Sequence, residues 1–163
     1  MKKLTCLIVD DEPLALDLIE SYVRRTPFLE LAGRCASAFE AMEKIDNQAI
    51  DLIFLDIQMP DLSGLEFSRT LREGPRVIFT TAFEAYALEG FKVDALDYLL
   101  KPFNYEEFLR AANKAKAYFQ LRDGQRETGE ISPFLYVKSE YKLIKINLNE
   151  VLYFEGLKDY VKI

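Results

Sequence analysis

The sequence predicts an α/β protein, a doubly wound parallel sheet with helices on both faces. Short apolar runs of strand length alternate with helix-spaced patterns five times along residues 1–118. The apolar runs are continuous rather than alternating, as in residues 52–55 (LIFL), which is typical of parallel strands buried on both faces. Five successive βα units of this kind imply a parallel sheet.

The predicted elements follow each other in regular order. Leu14, Leu18 and Tyr22 share one face of the first helix. Ser37 and Asn104 begin the second and fifth helices, each with a glutamate three residues later as in a capping box. The predicted strands are residues 4–9, 29–35, 52–55, 77–80 and 98–100, and the predicted helices are 13–25, 37 onward, 63–73, 84–89 and 104–120.

A change of pattern follows this first predicted domain, residues 1–118. Residues 119–132 are mostly polar and contain two glycines, which predicts a linker. Residues 133–163 contain four short strand candidates without helices between them, FLYVK, KLIKIN, VLYFE and DYVKI. About thirty residues are too few for an independent core, so we expect a truncated β domain that continues beyond Ile163.

Strands within residues 134–154 are expected to present open, apolar edges. On this reasoning Tyr136, Tyr153 and Phe154 are partly exposed. The strands then either pair with another copy of the chain or are poorly ordered.

Composition excludes several classes of function. The 163 residues include no histidine, which removes histidine-based triads, histidine-bearing zinc sites and phosphohistidine carriers. A net charge of −6 argues against a polybasic nucleic-acid surface. Cys6 and Cys35 lie in apolar, strand-like contexts, which favours buried thiols in a cytoplasmic protein over a disulfide. The apolar runs are too short to span a membrane.

Charged groups cluster at one predicted edge of the sheet, where open parallel sheets bind ligands. Clustered carboxylates repel each other, and Mg²⁺ is the cation that best suits a few carboxylates plus water and phosphate oxygens. A carboxylate beside Mg²⁺ and a lysine is equipped to attack a phosphoryl group. The first strand ends in Asp10-Asp11-Glu12, the third in Asp56, the fourth in Thr80-Thr81-Ala82 and the fifth in Lys101-Pro102.

Each of these features has a simpler explanation when it is taken alone. An aspartate at a strand end is usually a turn or cap residue, and an acidic run favours the dipole of the following helix. A Lys-Pro pair usually marks a loop. All four features fall at the expected strand ends, which makes the simpler explanations poor in combination.

Four segments resemble the receiver domain of two-component response regulators: VDDEP (9–13), LDIQMPDLSG (55–64), TTA (80–82) and YLLKPF (98–103). The resemblance implies a flavodoxin-like (βα)5 fold with strand order 2-1-3-4-5. It implies Asp56 as the phosphoacceptor and Mg²⁺ held by Asp10, Asp11, Asp56 and the backbone carbonyl of Gln58. It further implies Thr81 and Tyr98 as switch residues, Lys101 as the phosphate-contacting lysine, and a cis Lys101–Pro102 peptide.

Residues 134–163 resemble the beginning of a LytTR-type DNA-binding domain. Together the two resemblances imply a response regulator that a sensor histidine kinase phosphorylates. The phosphorylated face of helix four, strand five and helix five then favours a homodimer, and the dimer binds DNA and controls transcription. The DNA-contacting residues are unknown, because those parts of the family lie largely beyond Ile163.

Three other functions fit the sequence less well. Phosphatases with an aspartate nucleophile usually carry a second aspartate two residues later, and that position is Gln58. A nucleotide-binding module needs a glycine-rich first turn, and this chain has Asp10-Asp11-Glu12-Pro13 there. A receiver whose output is a protein–protein interaction stays open as an alternative.

Overall fold

A computed structural model describes residues 2–71, 74–89, 94–127, 134–139, 142–147, 155–157 and 160–162, with side chains for 2–71, 74–86 and 94–124. The chain forms two compact units, Met1–Phe119 and Gln120–Ile163. The elements of the first unit are β1 (Leu4–Val9), α1 (Pro13–Arg25), β2 (Leu29–Cys35), α2 (Ala38–Asn47), β3 (Leu52–Asp56), α3 (Gly64–Thr70), β4 (Arg76–Thr81), α4 (Glu84–Glu89) and β5 (Asp97–Leu100), followed by α5 (Tyr105–Glu127), which continues into the second unit.

The five strands form one parallel sheet in the order β2-β1-β3-β4-β5. This arrangement confirms the predicted fold and strand order. The apolar run of β3 is buried along its whole length because β3 is the central strand of the sheet. Its Phe54 stacks on Phe108 of α5, with ring centroids 4.8 Å apart.

Helices cover both faces of the sheet, and each face has its own core. On one face Phe54 and Ile78 pack with residues of α1 and α5. On the other face Leu55 and Phe79 pack with residues of α2 and α3. The alternation of side chains along each strand therefore decides which core a strand residue joins.

The buried face of α1 consists of Leu16, Ile19 and Val23. Leu14, on the predicted shared face, is 82% exposed, and Leu18 is 39% exposed. Tyr22 is the exception on that face, since its ring lies 5.4 Å from the ring of Phe108. Two leucines of α1 therefore remain on the surface.

Cap contacts explain where α2 and α5 begin. Asn104 Oδ1 accepts from the Glu107 backbone N–H and the Glu107 carboxylate accepts from the Asn104 N–H, both at 2.9 Å, which is the predicted capping box. At α2 only half of the box forms. Ser37 accepts from the Glu40 N–H at 3.3 Å, but the Glu40 carboxylate accepts from the N–H of Ala36 at 2.9 Å.

Helix α5 continues to Glu127, beyond the predicted end near residue 120. Residues 121–127 (LRDGQRE) consist mainly of good helix formers, and a single glycine at 124 costs only about 1 kcal/mol. The polar composition that predicted a linker here thus belongs in part to a helix. The division into a first domain, a linker and a second domain stays a prediction.

The described residues of the second unit include two antiparallel strand pairs. β6 (Phe134–Ser139) pairs with β7 (Lys142–Asn147), and β8 (Glu155–Leu157) pairs with β9 (Tyr160–Lys162). Tyr153 and Phe154 lie outside the described residues, as does the side chain of Tyr136, so their predicted exposure remains a prediction.

Two further findings concern the chain as a whole. Cys6 and Cys35 are free, buried thiols, as predicted. None of the helices in the described residues combines the length and apolar character that crossing a membrane requires.

Candidate phosphoacceptor and metal site

Three carboxylates meet at the C-terminal edge of the sheet. Asp10 and Asp11 directly follow β1, and Asp56 is the last residue of the neighbouring strand β3. One carboxylate oxygen from each lies within 4.8 Å of the others. Asp10 and Asp56 are buried, whereas Asp11 is exposed. The parallel arrangement of the strands therefore brings together the groups that the strand-end argument singled out.

Lys101 is the cation of this cluster. Its Nζ lies 2.8 Å from Asp10 Oδ2, 3.3 Å from Asp56 Oδ1 and 3.4 Å from Glu12 Oε1. Asp10 Oδ1 also accepts from the Glu12 backbone N–H at 2.9 Å. The Lys101–Pro102 peptide that follows is cis.

Burial sets the ionisation of these groups. It raises the pKa of Asp56 to about 6, with a further rise from the charge of Asp10, against the opposing effect of Lys101. Burial also raises the pKa of Asp10, although the bond from Lys101 opposes the rise. For Lys101, burial lowers the pKa, but its bonds to Asp10 and its attraction to Asp56 outweigh burial and leave the pKa raised. The single ammonium thus offsets only part of the effect of burial on the two carboxyl groups.

A tight turn after β3 holds Asp56 against the start of α3. The Gly64 N–H donates to the carbonyl of Ile57 at 2.9 Å, and the Ile57 N–H donates to the carbonyl of Thr80 at 3.0 Å. A Cβ at Gly64 would lie closer to the backbone oxygen of Asp56 than van der Waals contact permits. Asp61 in the same turn has a φ of 69°, which is the left-handed region. Glycine at 64 is what allows the chain to pack this closely.

The predicted switch residues lie at different points around this edge. The hydroxyl of Thr81 accepts from the backbone N–H of Phe83 at 3.1 Å, so it caps the turn into α4. Tyr98 is half-buried and stacks on Phe79, with ring centroids 5.2 Å apart. Gln58 lies in the loop after β3 with an exposed side chain.

Comparison with known proteins identifies the family. Residues 6–113 match the model of the response regulator receiver domain. The chain belongs to this family. A sensory transduction protein LytT from Bacillus anthracis is 34% identical over 166 residues, covering 96% of this chain and 67% of that protein. A transcriptional regulatory protein BtsR from Escherichia coli is 34% identical over 155 residues, covering 94% of this chain and 62% of that protein.

The receiver fold is also seen in solved structures that resemble this one. Response regulator protein TrrA from Thermotoga maritima, in complex with Mg²⁺ and BeF, is 31% identical with a TM-score of 0.60. That match covers 71% of this chain and 99% of the TrrA chain.

The donor set of this receiver domain fits a divalent cation. Three carboxylate oxygens within 4.8 Å are hard ligands of the kind that Mg²⁺ prefers. Burial raises the pKa of both Asp10 and Asp56 in spite of Lys101, so Lys101 alone does not fully compensate the two buried carboxylates. A cation beside these oxygens would complete the compensation.

Two features of the receiver site were not predicted from the sequence. Glu12 contacts the ammonium of Lys101, and its position directly after Asp10-Asp11 was the available signal. The close approach of Gly64 to Asp56 depends on the path of the turn, which spacing along the sequence does not reveal.

Proposed function

We propose that this chain is a phosphorylation switch in which Asp56 accepts a phosphoryl group from a sensor histidine kinase. The observation that carries the proposal is the meeting of Asp10, Asp11, Asp56 and Lys101 at one edge of the sheet. In the transfer, a carboxylate oxygen of Asp56 forms a bond to phosphorus as the bond from phosphorus to the donor's nitrogen breaks.

Mg²⁺ is the proposed cofactor, held by Asp10, Asp11, Asp56 and the backbone carbonyl of Gln58. When bound, it neutralises charge on the phosphoryl oxygens. Lys101 already lies 3.3 Å from Asp56, close enough to turn from that carboxylate to an oxygen of the incoming group. Because its pKa is raised, Lys101 stays charged and can hold the anion throughout.

An exposed apolar stripe supports a protein as phosphodonor. Leu14 and Leu18 lie on α1, which begins directly after the acidic residues that follow β1, and they are 82% and 39% exposed. A protein that presents a phosphohistidine to Asp56 could pack its own apolar side chains there.

The proposed switch runs from Asp56 to the face of α4, β5 and α5. The acyl phosphate carries about −1.5 to −2 of charge by analogy with phosphorylated hydroxyls, in place of the single negative charge of the carboxylate. The hydroxyl of Thr81 would leave the N–H of Phe83 for a phosphoryl oxygen, which frees the turn into α4, and Tyr98 would turn inward. Phe83 and Leu100 are 50% and 42% exposed beside this turn, and they supply apolar surface for a homodimer.

Output through DNA is the last part of the proposal. Residues 1–118 are the receiver, 119–132 connect it, and 133–163 begin a LytTR-type domain whose two copies in a dimer would bind paired half-sites. The similarity to LytT and BtsR extends over nearly the whole chain, which supports a transcriptional output.

Beryllofluoride tests the proposal, because its beryllium bonds to a carboxylate oxygen much as phosphorus would. With Mg²⁺, titration into the wild-type chain should saturate, and sedimentation velocity should show a shift towards dimer. Asp56→Asn should show neither effect. Binding by the variant would contradict the assignment of Asp56, and binding without dimerisation would contradict only the proposed switch.

A further inference from the structure

Thr80 carries a buried hydroxyl for which the described residues provide no hydrogen-bond partner. Thr80 is fully buried, and within the part of the chain that the structure describes its Oγ1 contacts neither a donor nor an acceptor. A buried polar group without a partner loses its hydrogen bonds to water and gains none in the folded chain. The hydroxyl therefore destabilises the state seen here.

The other buried threonines among the described residues show that this arrangement is not general in the fold. The hydroxyl of Thr26 donates to the carbonyl of Tyr22 at 2.8 Å, and the hydroxyl of Thr81 accepts from the N–H of Phe83 at 3.1 Å. Thr80 is the exception among these three.

Strand pairing places Thr80 beside the phosphoacceptor. Asp56 and Thr80 are directly opposed in the β3–β4 register, and the carbonyl of Thr80 accepts from Ile57. Two residues earlier on the same strands, Phe54 and Ile78 belong to one core. Because side chains two apart on a strand share a face, Asp56 and Thr80 point to the same side of the sheet.

Lys101 extends past β4 at this end of the sheet. Lys101 follows β5, the edge strand next to β4. Its ammonium nevertheless reaches Asp56 on β3 and Asp10 directly after β1. The side chain must therefore cross the end of β4, where Thr80 lies. Any movement of Lys101 away from Asp56 changes the surroundings of both Asp56 and Thr80.

We propose that Thr80 is a positioning residue, whose hydroxyl donates to a carboxyl oxygen of Asp56 once Lys101 has turned to the phosphoryl group. This inference rests on the proposed function. In the acyl phosphate, one Asp56 oxygen is bonded to phosphorus and the other is a carbonyl oxygen. This carbonyl oxygen accepts a hydrogen bond from the Thr80 hydroxyl, which keeps its proton. The hydrogen bond holds the acyl group in place after the ion pair with Lys101 is lost.

The test compares Thr80→Val, which keeps the shape but removes the hydroxyl, with Thr80→Ser, which keeps the hydroxyl. Affinity for beryllofluoride is measured at saturating Mg²⁺, and the urea midpoint of unfolding is measured without metal. Thr80→Val should bind beryllofluoride about 3- to 10-fold more weakly, the range for one neutral hydrogen bond. Its unfolding midpoint should be unchanged or higher, and Thr80→Ser should bind as the wild type does.

Thr26→Val is the matched control, since it removes a buried hydroxyl that has a partner. It should lower the unfolding midpoint and leave beryllofluoride affinity unchanged. If Thr80→Val does not fold, Thr80→Ala removes the same hydroxyl without adding volume at the site.

The outcomes separate this inference from the function on which it rests. A wild-type chain that binds no beryllofluoride refutes the proposed function and the role of Thr80 with it. If the wild type binds and Thr80→Val binds equally well, only the role of Thr80 is refuted. The role of Thr80 is also refuted if Thr80→Ser binds beryllofluoride as weakly as Thr80→Val does, because altered packing then explains the loss of affinity. A lower unfolding midpoint in Thr80→Val refutes it too, because the threonine then contributes packing or a hydrogen bond in the resting state.

Discussion

Replacing Asp56 by asparagine tests the electrostatics of the acidic cluster in the metal-free protein. Burial and the charge of Asp10 raise the pKa of Asp56 to about 6 in the folded chain, against about 3.9 in an unfolded one. At about 1.36 kcal/mol per pKa unit, this rise corresponds to about 3 kcal/mol. Asparagine has a similar shape and no charge to bury. We therefore expect Asp56→Asn to stabilise the metal-free chain by about 2–3 kcal/mol near pH 7.5.

The sign of the pH dependence follows from the raised pKa. The folded chain binds this proton more tightly than the unfolded chain, so the free energy of unfolding falls as the pH rises from about 4 to about 6. Below that window Asp56 is protonated in both states and the cost disappears. The stability advantage of Asp56→Asn should therefore be largest above about pH 6 and small near pH 4.

Urea denaturation followed by far-UV circular dichroism, with a chelator present, measures this difference at both pH values. Asp46→Asn is the control, because it changes the net charge equally on the exposed surface of α2. Adding Mg²⁺ should raise the stability of the wild type much more than that of Asp56→Asn. A variant that is no more stable than the wild type near pH 7.5, or equally stabilised at both pH values, would refute the reasoning.

Substitutions at three further positions probe the surroundings of the site. Gly64→Ala should destabilise the chain by about 2–3 kcal/mol in urea denaturation, because the new methyl group overlaps the backbone of Asp56; an unchanged midpoint would contradict the close approach. Asp61→Val should cost about 1–2 kcal/mol at a φ of 69°, whereas Asp61→Gly should be neutral or stabilising, and the reverse order would be inconsistent with that backbone. Lys101→Met leaves the buried Asp10 without its neighbouring ammonium, so the midpoint of thermal unfolding without metal should be lower than in the wild type. Mg²⁺ should raise the midpoint of this variant by more than it raises that of the wild type. An equal rise would argue against competition between Lys101 and the cation.

The fold was predictable because strong local signals agreed with the sheet. The bounds of β1, β2 and α1 match the predicted ranges. The apolar run of β1 and the helical spacing of α1 are clear signals in the sequence. The buried face of α1 was not predictable from spacing alone. Leu14 and Leu18 are spaced as well as Leu16 and Ile19, and only the position of the sheet decides which pair is covered.

The sequence predicts which residues meet at the strand ends, but it does not predict the hydrogen bonds that they make there. Parallel strands place their C-terminal ends at one edge, so Asp10, Asp56 and Lys101 had to be neighbours. The bond of Thr81 to Phe83 depends on the conformation of a turn. That the Thr80 hydroxyl has no partner among the described residues depends on packing near the end of β4, which no pattern in the sequence encodes.

Phosphorylation by acetyl phosphate with Mg²⁺, read by intact-protein mass spectrometry, tests the central claim most directly. The wild-type chain should gain the mass of one phosphoryl group, and it should gain none when a chelator removes the metal. Asp56→Asn should gain none under either condition, while Asp46→Asn should behave as the wild type does. A phosphoryl group on Asp56→Asn, or none on the wild-type chain with Mg²⁺ present, would contradict the account.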